Sequence, residues 1–287
     1  MGKSSARASE GEKEALEKYL FQFLNLEKQF PLLPGIRNPE ALASIMGVDR
    51  SDVEKWRVRY QENARQAASE LLQEEEISEA IDQLPFRDGE TIIALGDSMT
   101  DDLQGWFQIF QELVRLARPE DEYHWVNSGV SYNTTSEALR RLHRDVLSRN
   151  PDWVFVSLGT FDGQRLSFAP DRTLIPLSET WENLNTIQSA IGTVTENPVF
   201  WISPPPVIDG MLDQMDLFDF RIDASDLLQI REIIASKSGH LVDPAGLRMG
   251  NPPEAWYYLS DGLHPSLSGH TNTVRELVLS FQSSSDD

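Results

Sequence analysis

Cysteine is absent from the 287 residues. That removes disulfide scaffolds, thiolate metal sites and cysteine nucleophiles together. Basic residues are also few: 25 Lys and Arg face 46 Asp and Glu, a net charge of −21 and a pI near 4.6. Such a surface repels phosphate backbones and anionic membranes, so nucleic acid is not an expected partner. No apolar run approaches the roughly 18 residues of a membrane-spanning helix. The polar stretch Met1–Lys18 lacks the apolar centre of a secretion signal, and Ala6 stands where a myristoylation motif requires Ser or Thr. The chain therefore reads as cytoplasmic, without stable membrane association. Neither a His-Glu-x-x-His metal motif nor a glycine-rich phosphate cradle occurs, so the expectation is no metal and no cofactor.

What is present is ample apolar material, 40% of the chain with 7 Trp and 13 Phe, and a change of texture near residue 90. Before it lies no strand-like run. Leu16, Tyr19, Leu20, Phe23 and Leu24 recur at helical spacing until Pro31, Pro34 and Gly35, and helical pattern resumes over Pro39–Met46 and Asp52–Glu76. Residues 1–90 thus read as an all-helical extension. From Thr91, short apolar runs alternate with amphipathic stretches. Thr91–Leu95, Tyr123–Val126, Trp153–Leu158, Val199–Ile202 and His240–Val242 read as five buried strands. Helices are expected at 102–117, 135–149, 179–194, 224–238 and 266–282. That alternation predicts an α/β domain over 91–287, with a five-stranded parallel sheet covered on both faces.

Residues 42–56 carry a helix-turn-helix-like pattern: Ala43, Gly47 and Val53 at the spacing of the motif, with Ser51 and Glu54 as a capping box. A tight helical corner needs a small residue, a glycine and an apolar anchor for packing alone. Five cations against four anions over 36–60 is not the basic balance of a DNA reader. Packing, or a partner-binding helical module, is the favoured reading.

In a parallel α/β sheet, ligands bind beyond the carboxyl ends of the strands. The first strand runs into Gly96-Asp97-Ser98-Met99-Thr100, the second into Asn127-Ser128-Gly129 and the third into Gly159-Thr160-Phe161-Asp162. Ser260-Asp261-Gly262-Leu263-His264-Pro265 follows the last. A serine, a glycine-bearing loop and an Asp–His pair converge on one edge, which supplies a nucleophile, a backbone donor, a base and a group to orient the base.

These motifs (ALGDSMTD, NSGVSYNT, LGTFD and DGLHPS, in that order) resemble the SGNH-hydrolase superfamily, the GDSL esterases and lipases, over about residues 90–282. The resemblance implies a flavodoxin-like three-layer α/β/α fold and a serine esterase working through an acyl-enzyme, with short-chain or acetyl esters as small-molecule substrates. It makes Ser98 the nucleophile, His264 its base and Asp261 the residue that orients the base. The backbone N–H groups of Ser98 and Gly129 become oxyanion donors. One position departs from the family pattern: Phe161 stands where a third-block Asn normally donates its amide. Loss of one such donor typically costs about 2.7–4 kcal/mol. Asn133 or the Thr160 hydroxyl is a candidate replacement.

Asp97 and Met99, beside the serine, and Phe161 are expected to line the substrate site, with Asp97 also accepting from nearby backbone N–H groups. Phe168, Leu212, Met215, Leu217, Phe218 and Phe220 are expected to border an acyl pocket, with 210–220 either a flap over the site or a segment buried under the N-terminal helices. His124, His143, His240 and His270 read as surface or helix residues. The alternative function is a catalytically degenerate domain that binds an acylated ligand or protein without efficient turnover. Acyl length, leaving group, oligomeric state and the job of residues 1–90 are not encoded in any motif.

Overall fold

In the computed structural model, residues 8–23, 25–33, 35–208, 211, 220–246, 248–250 and 252–282 are described. The five expected strands form one parallel sheet: β1 (Thr91–Gly96), β2 (His124–Gly129), β3 (Trp153–Ser157), β5 (Phe200–Ile202) and β7 (His240–Val242). Its order is β2-β1-β3-β5-β7, the flavodoxin-like order, with the chain reversing direction across the sheet at the β1/β3 boundary. A small antiparallel pair, β4 (Gln164–Leu166) with β6 (Phe220–Ile222), stands apart from it. Three-residue strands without an apolar run give no period to read, which is why the sequence did not announce them.

Alternation along each strand divides the core in two. Ile92, Ala94, Trp153, Phe155, Phe200 and Ile202 face one layer. Ile93, Leu95, Val154, Val156 and Trp201 face the other, as the period of two requires. The helices are α1 (Glu10–Leu16), continued by a π-helical turn Glu17–Phe21, α2 (Leu26–Gln29), α3 (Pro39–Met46), α4 (Arg50–Leu71), α5 (Glu75–Ile81), α6 (Ser98–Asp101), α7 (Trp106–Ala117), α8 (Thr135–Asp145), α9 (Leu177–Ile191), α10 (Ala224–Ala235) and α11 (Leu267–Ser280). Helices α8, α9 and α10 cover one face of the sheet. The other is covered by α7 and α11 and also by α4 and α5, whose Ala67, Ala68, Leu71, Ile77 and Ile81 are fully or almost fully buried in that layer. Residues 64–86 thus contribute to the main core.

Upstream, α3 and the start of α4 make a smaller cluster in which Ala43, Met46, Val53, Trp56 and Tyr60 surround Phe21. The helix-turn-helix-like spacing serves this packing. Gly47 takes φ +69 as the left-handed cap of α3. The capping box differs from the expected Ser51/Glu54 pair: Asp49 caps α4 and Asp52 answers it. Both pairs fit the motif, and the box forms one residue after Val48, which enters the cluster. No described helix is long and apolar enough to cross a membrane.

Candidate active site

Strand β1 ends at Gly96, and the chain turns at once into α6, which begins at Ser98. The Asp97 carboxylate caps this turn by accepting from the Met99 N–H at 3.1 Å. Burial pushes the Asp97 carboxyl up to about 7, against the lowering influence of the Met99 N–H, the nearby His264 ring and the Thr160 side chain. Helix α6 lies so close to the end of β2 that a Cβ on Gly129 would meet the Asp101 backbone nitrogen at 2.5 Å. A glycine is required there by contact, whatever else it does.

The expected pair at the other end of the site is formed. Asp261 Oδ2 lies 2.8 Å from His264 Nδ1. Asp261 Oδ1 accepts the N–H groups of Leu263 and His264, each at 2.9 Å. Gly262, at φ +64, bends the chain so that one carboxylate receives all three. Burial alone raises the Asp261 carboxyl, and the His264 ring together with the two N–H groups outweighs it, so the group lies below the usual carboxylate range. His264 Nε2 is buried and has no hydrogen-bond partner among the described residues. A ring held at Nδ1 by a carboxylate, with Nε2 open, is prepared to take a proton from an alcohol.

The Gly129 N–H, expected as an oxyanion donor, is turned elsewhere. The Gly129 N–H donates to Asn127 Oδ1 at 2.9 Å. The N–H that meets Ser98 Oγ, also at 2.9 Å, belongs to Tyr132, three residues on. Tyr132 holds φ +64, one of two non-glycine residues with positive φ among those described. A bulky residue in the left-handed region stores strain of about 1–3 kcal/mol and marks a position held by its surroundings. Residue type gave no sign of this contact, since positive φ is looked for at glycine and here a tyrosine holds it.

The two candidate substitutes for a third donor are each tied to a neighbour, Asn133 through its amide oxygen only. Asn133 Oδ1 accepts from Arg141 Nε at 2.7 Å, and Thr160 lies buried against Asp97. Phe161 is wholly buried in an apolar cluster with Met99, Val207, Ile222, Leu227 and Leu263. Its ring centroid is 5.3 Å from that of Tyr132 and 6.1 Å from that of His264. Met99 and Phe161 therefore form an apolar wall next to His264, and Asp97 is buried beneath the turn. Phe220 adjoins Phe161 at 6.4 Å, whereas Phe168 is exposed. Leu212, Met215, Leu217 and Phe218, with most of the expected flap, lie outside the described residues.

His124 is exposed and His143 and His270 lie in helices, as expected, but the surroundings of His270 and His240 were not foreseen. His270 is buried, with Nε2 3.2 Å from Asp102 Oδ2, and His240 is half-buried against Phe200 and Phe281. Ser98 is 0% and His264 2% exposed, and part of the cover is Phe23, whose ring centroid lies 4.6 Å from that of His264. Phe23 looked like one more apolar position on a helix, and nothing in its spacing pointed at His264.

The chain is similar to known proteins in sequence and in fold. Residues 94–271 match the model of the GDSL-like lipase/acylhydrolase family. An acetylxylan esterase from Geobacillus stearothermophilus is 30% identical over 88 residues, which are 26% of this chain and 40% of that protein's length. The fold is similar to that of a lipase/acylhydrolase from Enterococcus faecalis (TM-score 0.53, 24% identity, 66% of this chain and 93% of the other). It is also similar to the solved structure of an acetylxylan esterase from Geobacillus stearothermophilus (TM-score 0.51, 20% identity, 68% and 94%). With its four strand-exit motifs and a family match over well more than half its length, the chain belongs to the GDSL-like lipase/acylhydrolase family, a family of carboxylic ester hydrolases.

Proposed function

We propose that the protein is a serine esterase that hydrolyses short-chain or acetyl esters through an acyl-serine intermediate. The observation that carries this reading is the Asp261–His264 pair at 2.8 Å with Nε2 left open. Ser98 Oγ attacks the ester carbonyl carbon and gives its proton to His264 Nε2. The tetrahedral oxyanion is held by the N–H groups of Ser98 and Tyr132. His264 returns the proton to the departing alcohol, leaving Ser98 acylated. Water then repeats the sequence and releases the acid. Asp261 stabilises the imidazolium through both transfers.

Phe161 brings a ring where the family pattern has an amide donor, so this hole works with two backbone donors. A preference for small acyl groups is supported by the rings of Phe161 and Tyr132, which pack beside His264. The catalytic reading is supported over a purely binding role by the Asp261–His264 pair and by the buried Ser98 at the start of α6.

A series of p-nitrophenyl esters from acetate to palmitate tests the proposal. The expected result is hydrolysis of the acetate and butyrate esters, weakening with chain length, and its loss in Ser98→Ala without a change in melting temperature. Full activity in Ser98→Ala would end the reading.

A further inference from the structure

Ser98 and His264 have no exposed surface to speak of, and part of what covers them comes from the N-terminal stretch. Residues 21–23 and 25–28 run across the strand-exit edge as a strap. Phe21 anchors one end: its ring packs 5.2 Å from Trp56 and 6.4 Å from Tyr60 in the cluster built by α3 and α4. Phe23 lies over the His264 ring, and the Phe23 carbonyl accepts from the Ser131 hydroxyl, next in the chain to Tyr132.

The rest of the strap is held by hydrogen bonds to the residues that follow the serine. The Gln22 carbonyl accepts from Leu103 N–H at 3.1 Å, and its side chain donates to Asp102 Oδ2 at 2.8 Å. Asn25 donates to the Asp101 carbonyl at 2.9 Å and to Asp101 Oδ1 at 2.7 Å. Lys28 Nζ reaches Asp101 Oδ1 at 2.6 Å and Asn127 Oδ1 at 2.9 Å.

Beyond the Phe21 anchor, the fastenings are mainly polar. Water replaces hydrogen bonds at small net cost, about 0.5–1.5 kcal/mol each and about 1.5–3 with a charged partner. It does not replace an apolar core contact so cheaply. Behind the strap, between Asn25, Arg37, Arg57, Gln61 and Gln108, lies a polar cavity of about 480 Å³. The strap is therefore flanked on that side by space with polar walls, the kind of boundary that allows a segment to leave without exposing a core.

We propose that this strap is an access gate: it closes the Ser98–His264 site, and an ester reaches Ser98 only when the strap lifts from α6 about its Phe21 anchor. This rests on the esterase reading for its purpose, although the covering of Ser98 is independent of it. The strap gives the helical stretch ahead of the sheet a role in the reaction, with α3 and the start of α4 as its base.

Because the chain contains no cysteine, Ser98→Cys gives a unique thiol whose alkylation by iodoacetamide measures access without requiring catalysis. The rate is compared between Ser98→Cys alone and the same thiol combined with Phe23→Ala, or with Asn25→Ala and Lys28→Ala. A single Val156→Cys in the buried β3, with and without the strap substitutions, controls for global opening. Loosening the strap should speed alkylation of Cys at position 98 by about tenfold or more, the effect of removing one or two such bonds from a local opening equilibrium, and leave the position 156 rate unchanged. Hydrolysis of p-nitrophenyl acetate by the strap variants with Ser98 intact should rise in parallel. The gate is overturned if alkylation at 98 is as fast in the single variant as in the loosened ones, or if positions 98 and 156 accelerate together. Faster alkylation at 98 with no hydrolysis in any variant would keep the gate and sink the esterase.

Discussion

Two parts of the stretch ahead of β1 meet the rest of the molecule in different ways. Ala67, Ala68 and Leu71 of α4 are buried in the same layer as Phe155 and Phe200 of the sheet, by apolar contact alone. Gln22, Asn25 and Lys28 reach α6 and its flanks through hydrogen bonds to Asp101, Asp102 and Asn127, and Phe23 carries a ring to His264. The first kind of contact is lost only by unfolding, since burial is what holds it. The second exchanges with water. Contiguity in sequence thus joins a structural layer to a covering segment, and the chemistry of the contacts tells them apart.

The comparison predicts that substitutions in the core change stability and those at the covered edge change rate. The largest effect is expected at the edge: Asp261→Asn keeps the volume but loses the charge that fixes the His264 tautomer. It should lower kcat for p-nitrophenyl acetate by about 10⁴, with the fold intact by circular dichroism. In the core, Leu71→Ala should cost about 2–5 kcal/mol in urea unfolding, while kcat per folded molecule stays within twofold. A large fall in kcat there would mean that the two parts are not separable.

The buried acid beneath Ser98 offers a test by pH. Asp97 titrates higher in the folded chain, at about 7, than in the unfolded one, at about 3.9. Between those values the folded state holds a proton that the unfolded state has lost. The associated stability is complete below the unfolded value and is lost as pH rises through 7, at up to about 1.4 kcal/mol per pH unit. The stability of the wild type should fall from pH 4 to pH 7 relative to Asp97→Asn, and parallel curves would refute the assignment. The smallest effect is set by Asp49→Ala, which removes the cap of α4 and should cost about 1 kcal/mol with no change of rate.

Most of the sheet was legible because buried strands announce themselves as apolar runs of fixed length, and the site because a parallel sheet concentrates function at strand exits. The Asp261–His264 pair was legible for a local reason, as one turn of chain brings the two together. The contact of the Tyr132 N–H with Ser98 Oγ was not. Positive φ at Tyr132 arises from the packing around the turn after β2, and a search for glycine stops at Gly129, which is small because α6 presses on it. The strap was hidden for a different reason. Its bonds join residues 73 to 80 positions apart or more through polar side chains, and such pairs leave no period in a sequence. His270 likewise reads as an ordinary helix residue until Asp102 is placed beside it.

The claim at the centre is that Ser98 is an activated nucleophile under a lifting cover. The direct measurement is exposure of the full-length protein to a fluorophosphonate probe, followed by intact mass and peptide mapping, with the Phe23→Ala variant alongside. One adduct per chain, on the peptide containing Ser98, is the predicted result, forming faster in Phe23→Ala and absent in His264→Ala. No adduct in either the wild type or Phe23→Ala, or an adduct at a different serine, would contradict it.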